Sequence, residues 1–122
     1  MAASHEAIVK KVIKLWTSSG RGRLFPYTVG KFRALQSERV TKIGVTGHPD
    51  LCGFCFSRGS MASSAACYVE VKTKAYSKLS KEQQRFMCMA TAAGCECYVA
   101  MEDSSVLAGF KLTRWTAVKC VS

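Results

Sequence analysis

The apolar positions between Ser4 and Thr17 recur every three or four residues, which is the period of one face of a helix. Ser4 suits the N-cap of that helix and Gly20 suits its end. The pattern therefore predicts an amphipathic first helix over residues 4–17. A second apolar stripe at helical spacing begins after Ser80 and stops at Gly94, and it predicts a second helix.

Short apolar runs rich in β-branched and aromatic residues, bounded by turn signals, predict strands. These runs are residues 24–27, 39–45, 51–56, 67–72 and 95–101. A basic loop with Lys31, Arg33 and Arg39 is expected between the first two runs. Beyond Asp103 the pattern is weaker: residues 106–110 suit a short helix, and residues 112–121 fit either period. The order predicts one compact α/β domain over residues 1–122, without repeats or linkers.

The composition supports a single folded domain. The chain has 122 residues, of which 48% are hydrophobic and 21% charged, so it can form one core but is too short for a two-domain enzyme. Its formal net charge of +10 indicates a polyanionic partner, with nucleic acid ahead of an anionic membrane surface. No apolar run approaches the roughly 18 residues of a membrane span, and Lys10, Lys11 and Lys14 interrupt the only segment resembling a signal peptide. We therefore expect a soluble, unsecreted protein.

The seven cysteines raise two alternatives. Their odd number and the lack of an export signal favour reduced thiols in a cytosol over a disulfide framework. The pairs Cys52-x-x-Cys55 and Cys95-x-Cys97 could instead close a zinc site. On a strand, however, Cys52 and Cys55 would face opposite sides, so free buried thiols are the favoured interpretation and a zinc-stabilised domain is the alternative.

The pattern with the most chemical content is Pro49-Asp50, then nineteen intervening residues, then Glu70-Val71-Lys72. Residues two apart on a strand point to the same face, so Glu70 and Lys72 project together. If the strand after Asp50 lies antiparallel beside them, two carboxylates converge and can bind one hard cation such as Mg²⁺. A Glu-x-Lys triplet alone is also typical of an exposed ion pair.

Other motifs add a resemblance that runs from Glu6 to about Asp103. The matching pieces are a helix carrying Glu6, a Gly30-Lys31 loop, Gly47-His48-Pro49-Asp50-Leu51 with Gly53, Glu70-Val71-Lys72, the segment 79–83 reading Leu-Ser-Lys-Glu-Gln, and Gly94. Together they resemble the virus-type replication-repair nuclease (VRR-NUC) domain of the PD-(D/E)xK nuclease superfamily. That resemblance implies a mixed central sheet flanked by helices and a magnesium- or manganese-dependent endonuclease.

Residue roles follow from the resemblance, position by position. It implies that Asp50, Glu70 and the Val71 carbonyl bind the metal, that Lys72 acts on the attacking water, and that Gln83 lies near the metal waters or the scissile phosphate. Glu6 matches a glutamate that supports the metal through water. Glu6 is also explained as a first-turn acid that favours the helix dipole. His48 is expected to be a loop residue or phosphate contact, since a metal mechanism needs no histidine base.

DNA is the expected partner. A basic group before the acid motif, extended past it by Lys74, is the candidate DNA track: Arg21, Arg23, Lys31, Arg33, Lys42 and Lys74. The resemblance implies branched or junction-containing DNA, a homodimer, a role in DNA repair or recombination, and a location in the cytoplasm of a bacterial or phage-infected cell. A non-catalytic basic DNA-binding module with the same fold is the first alternative.

Overall fold

A computed structural model describes residues 4–27, 30–33, 40–43, 47–56, 64–74 and 77–120. The elements in chain order are α1 (His5–Ser18), β1 (Gly22–Pro26), β2 (Gly30–Arg33), β3 (Val40–Ile43), β4 (Leu51–Phe56), β5 (Ser64–Lys72), α2 (Lys81–Ala92), β6 (Glu96–Glu102), β7 (Phe110–Arg114) and a 3-10 helix (Ala117–Cys120). None of the helices in these ranges is long and apolar enough to cross a membrane.

Both long helices begin and end where the sequence predicts. The Ser4 hydroxyl accepts a hydrogen bond from the Ala7 N–H, 3.2 Å away, and Gly20 follows the helix with φ of 76°. Ser80 caps α2, and its backbone N–H and side chain both exchange hydrogen bonds with Gln83. Gly94 follows α2 with φ of 92°, a conformation that glycine adopts without strain.

The main sheet has five strands in the order β1-β4-β5-β6-β7. Only the β5–β6 pair is parallel, with α2 in the connection between the two strands; the other three pairs are antiparallel. Strands β2 and β3 form a separate antiparallel pair. The predicted mixed α/β sheet flanked by two helices is therefore confirmed.

Alternation along β5 divides the core into two layers. Cys67, Val69 and Val71 pack with the buried side chains of α1, whereas Tyr68 packs with Met87 and Ala90 of α2. Glu70 and Lys72 share the face of Tyr68, because side chains two apart on a strand project to the same side. The α2 face of β5 therefore carries the two polar residues that the sequence singles out.

Two predictions of secondary structure differ from the structure. Gly30–Arg33 is a strand rather than part of a basic loop, because it pairs with Val40–Ile43 in a hairpin; Arg39 lies outside the described residues. The short helix expected over residues 106–110 is wrong, because residues 104–109 form turns and Phe110 begins β7, where its backbone pairs with Glu102. Pairing to a neighbouring strand outweighs the helical spacing of three apolar residues.

The prediction that all cysteines are reduced is also wrong. Cys88 of α2 and Cys120 of the 3-10 helix form a disulfide with Cα atoms 5.5 Å apart. The chain returns after β7 and lays the 3-10 helix against α2, a tertiary contact that cysteine spacing does not reveal. Cys52, Cys55, Cys67, Cys95 and Cys97 are free.

Candidate metal and nucleic-acid site

Asp50 and Glu70 meet at one edge of the main sheet, where β4 begins and β5 ends. The antiparallel register sets Leu51 opposite Val69, and this places Asp50 beside Glu70. Asp50 Oδ2 accepts a hydrogen bond from the Val71 N–H at 2.9 Å. The arrangement is the one expected if the strand after Asp50 lies antiparallel to the Glu70 strand.

The Glu70 carboxyl is buried, with only 3% of the residue exposed. Burial, followed by a hydrogen bond to Asp50 and repulsion from its charge, raises the pKa of Glu70 to about 9, against the opposing effect of Lys72. Glu70 Oε2 is buried and has no hydrogen-bond partner in the described part of the chain. Without a cation, burial therefore keeps Glu70 protonated at neutral pH, and its Oε2 atom has no hydrogen-bond partner among the described residues.

The Lys72 ammonium group lies on the same face and is held by α2. Its Nζ donates to Gln83 Oε1 at 3.0 Å, and only 9% of Lys72 is exposed. The same Gln83 oxygen accepts from the Ser80 N–H at 2.8 Å, while the Gln83 N–H donates to Ser80 Oγ at 3.1 Å. The capping box of α2 therefore also fixes the position of the lysine.

His5, which sequence analysis does not identify, contacts the site from the first residue of α1. Its Nε2 lies 3.1 Å from Asp50 Oδ2, the oxygen that also accepts from Val71. The two residues are 45 positions apart and have no motif relation, so only the packing of α1 reveals the contact. The N-terminus of α1, which carries partial positive charge, accordingly lies beside the carboxylate pair.

The turn before Asp50 packs against α2. Gly47 has φ of 85°, and a Cβ placed there would lie 2.5 Å from the Glu82 carbonyl oxygen, so glycine is required. The His48 ring stacks on Tyr27 with centroids 3.6 Å apart and contacts Phe86 at 4.9 Å. His48 therefore packs as a loop residue, and this packing fixes the start of β4 against the first turns of α2.

Glu6 lies apart from this group. Its carboxylate pairs with Lys10 one helical turn away, at 3.5 Å, and the side chain is 79% exposed. No contact between Glu6 and Asp50 or Glu70 is recorded within the described residues. The structure accordingly places Glu6 in the exposed first turn of α1.

The predicted DNA-binding residues fall into three places. Lys74 follows Lys72 at the site edge, where its Nζ lies 3.3 Å from Ser104 Oγ. Lys31 and Lys42 are opposite one another in the β2–β3 hairpin, which also holds Arg33; their side chains lie outside the described part of the chain. Arg21 and Arg23 lie elsewhere. The Phe56 N–H donates a hydrogen bond to the Arg21 carbonyl oxygen, and Phe56 is six residues along β4 from Asp50, a separation of about 20 Å.

The cysteine pairs are not arranged for one four-thiolate site. Cys55 belongs to the α1-side core, whereas Cys95 and Cys97 belong to the α2-side core. Cys52 pairs with Tyr68 across the strands and therefore faces the α2 side. The described residues contain no group of three or more His, Cys, Asp or Glu side chains that could hold a metal ion. A metal at Asp50 and Glu70 would need a backbone or water ligand in addition to the two carboxylates.

Comparison with known proteins adds no family assignment: no model of a known protein family matches the sequence, and no curated protein matches it.

Proposed function

We propose that this chain is a metal-dependent DNA endonuclease of the PD-(D/E)xK type, resembling its VRR-NUC branch. The observation that carries the proposal is the convergence of Asp50 and Glu70 at one sheet edge, where the buried Glu70 Oε2 atom has no hydrogen-bond partner among the described residues. Lys72 lies on the same strand face as Glu70. Two acids and a lysine in this arrangement match the residue types that metal-assisted phosphodiester hydrolysis uses.

The donor set fits a hard divalent cation. Carboxylate oxygens are the preferred ligands of Mg²⁺ and Mn²⁺, and a cation would replace the proton on Glu70. Asp50 and Glu70 would hold it, and the family resemblance adds the Val71 carbonyl. When bound, such an ion activates water and neutralises charge on a phosphate. The unsatisfied Glu70 oxygen is the feature of this chain that such a cation would explain.

The protein's own groups position the reactants. Lys72 has few alternative positions, because its Nζ is tied to Gln83 and the side chain is nearly buried. Its ammonium group can therefore orient the attacking water and stabilise negative charge on the phosphate. His5 contacts the Asp50 carboxylate from α1, and Gln83 couples the lysine to the helix cap.

The proposed substrate is DNA, with branched or junction-containing DNA taken from the family resemblance. The net charge of +10 supplies nonspecific attraction to phosphates, and Lys74 lies at the site edge. We further propose a homodimer, since one small domain carries one site and a branched substrate has two strands to cut. The proposed setting is the cytoplasm of a bacterial or phage-infected cell.

The test is cleavage of supercoiled plasmid and of a labelled four-way junction, with Mg²⁺, Mn²⁺ or Ca²⁺ or with a chelator. Wild-type protein should cut with Mg²⁺ or Mn²⁺, whereas Asp50→Asn, Glu70→Gln and Lys72→Met should bind DNA but not cut. Glu82→Gln is the matched control, because it removes an exposed carboxylate from the first turn of α2. Ca²⁺ should support binding without cleavage, because its looser coordination misplaces the nucleophile.

The same experiment separates the alternatives. Tight DNA binding by wild-type protein without cleavage in any metal would identify a non-catalytic DNA-binding module and refute the nuclease. Loss of structure after removal of zinc by a chelator, followed by circular dichroism, would identify a zinc-stabilised domain. Full cleavage by a folded Asp50→Asn protein would remove Asp50 from the proposed site.

A further inference from the structure

A second polar cleft lies at the sheet edge opposite Asp50, where α1 ends and β6 begins. Its volume is about 340 Å³, within the usual range for small-molecule sites. The rings of Trp16, Phe56 and Tyr98 form its walls, and Arg21, Glu96 and Arg114 supply its charges. We call it the Arg21–Arg114 cleft. The position of Arg21 opposite Phe56 separates it from Asp50 by about 20 Å along β4.

The acceptors of this cleft are already used by the protein. Glu96 Oε1 accepts from the Tyr98 hydroxyl at 2.6 Å, and Glu96 Oε2 accepts from the Cys55 thiol at 3.2 Å. The Tyr98 hydrogen bond is the main reason that the pKa of Glu96 lies below its ordinary value. Burial and the Glu96 carboxylate raise the pKa of Cys55 to about 11, so this thiol stays protonated as a donor. Glu96 therefore has little capacity left for a ligand.

The hydrogen-bond donors of the cleft, by contrast, have few partners among the described residues. The Arg21 guanidinium lies 5.3 Å from the centre of the Trp16 ring, and it has no ion pair among the described residues. Arg114 is 60% exposed and contacts Glu96 only at 3.7 Å. The Trp16 indole N–H is buried and has no hydrogen-bond partner within the described ranges, although the residue is only 3% exposed. This N–H is closed off from solvent, so the accessible donors of the cleft are the two guanidinium groups, and these favour an oxyanion.

We propose that the Arg21–Arg114 cleft binds a ring-bearing phosphate monoester of mononucleotide size, either free or at the end of a DNA strand. Two guanidinium forks can engage the three terminal oxygens of a phosphate, whereas a carboxylate offers only two oxygens. The aromatic walls supply a surface on which a flat ring can lie. Inorganic phosphate alone would leave these walls uncovered. This site is separate from the carboxylate pair and does not depend on catalysis there.

The experiment follows the indole N–H resonances of ¹⁵N-labelled protein during titration with adenosine 5′-monophosphate. The chain has two tryptophans, and Trp115→Phe assigns the Trp16 resonance. We expect the nucleotide to shift that resonance saturably, inorganic phosphate to bind more weakly, and adenosine to leave it in place. A 5′-phosphorylated trinucleotide tests the second source: a shift with the trinucleotide alone assigns the cleft to a strand end, and a shift with both probes assigns it to either source.

Arg21→Met and Arg114→Met should each weaken binding about tenfold or more, since each removes a charge-assisted fork. Arg85→Met, an exposed arginine on α2, is the charge-matched control and should bind like wild type. Arg114→Lys keeps the charge but loses the fork, so it should also weaken binding, and it serves if Arg21→Met does not fold. An unmoved Trp16 resonance with both nucleotide probes, equal affinity for adenosine, or wild-type binding by a folded Arg21→Met protein would overturn the proposal.

Discussion

The proton held by Glu70 should make folding stability depend on pH, and one substitution should remove that contribution. Glu70→Gln keeps the size of the side chain and offers an amide donor to Asp50, but it cannot ionise. The comparison of wild type with this variant therefore isolates the cost of keeping Glu70 protonated. Ionisable groups that do not interact with Glu70 are the same in both proteins, so their contributions cancel in the difference.

The expected size follows from the two pKa values of Glu70, about 9 in the folded chain and 4.5 in the reference state. Between them the folded protein keeps a proton that the unfolded chain has lost, so wild-type stability is highest below pH 4.5 and falls as the pH rises toward 9. The slope is about 1.4 kcal/mol per pH unit. The advantage of Glu70→Gln over wild type should therefore grow by about 4 kcal/mol between pH 5 and pH 8.

Urea unfolding followed by circular dichroism at several pH values, in chelator and without reductant, measures this difference. Glu82→Gln makes the same chemical change at an exposed position and should track wild type at every pH. A stability difference between wild type and Glu70→Gln that stays constant from pH 5 to pH 8 would refute the protonation of Glu70 in the folded chain. A difference that shrinks with rising pH would show that Glu70 is stabilised as a carboxylate instead.

Three further outcomes are expected. Gly47→Ala should lower the unfolding free energy by about 1–3 kcal/mol and reduce cleavage, since its Cβ meets the Glu82 backbone. Gly94→Ala is the control, because open space surrounds that position, and it should leave cleavage intact. Equal cleavage by the two variants would contradict this prediction. Cys120→Ser should lower the unfolding free energy, measured without reductant, by about 3–4 kcal/mol, because the disulfide spans 32 residues. A urea midpoint equal to that of wild type would contradict this prediction. DNA affinity measured by fluorescence anisotropy should fall steeply with salt, and a flat response would indicate an uncharged interface.

Local signals determine much of this fold and are readable in the sequence. The helix caps at Ser4 and Ser80 and the glycines after each helix define α1 and α2, because these residues satisfy or release the helix ends directly. Alternation along β5 separates Glu70 from its apolar neighbours. Consequently the Asp50, Glu70 and Lys72 group could be predicted before the strand pairing was known.

Tertiary contacts determine the rest. His5 reaches Asp50 only because α1 packs across the start of β4. The disulfide between Cys88 and Cys120 depends on the return of the chain after β7. Arg21 precedes the acid motif in sequence but lies far from Asp50 in space. It stands just before Gly22, which pairs with Cys55 at the end of β4 remote from Asp50. The spacing of basic residues along the chain therefore does not reveal which of them lie near the acid motif in space.

The central claim is that Asp50 and Glu70 together hold a divalent cation, and calorimetric titration with Mn²⁺ tests it most directly. Because Glu70 is protonated below pH 9, binding should release close to one proton and tighten about tenfold per pH unit from pH 6 to pH 8. Titrations in buffers of different ionisation enthalpy count that proton. We predict one Mn²⁺ per chain, with binding lost in Asp50→Asn and in Glu70→Gln. Binding that is independent of pH, or that survives in the Asp50→Asn, Glu70→Gln double variant, would contradict the account.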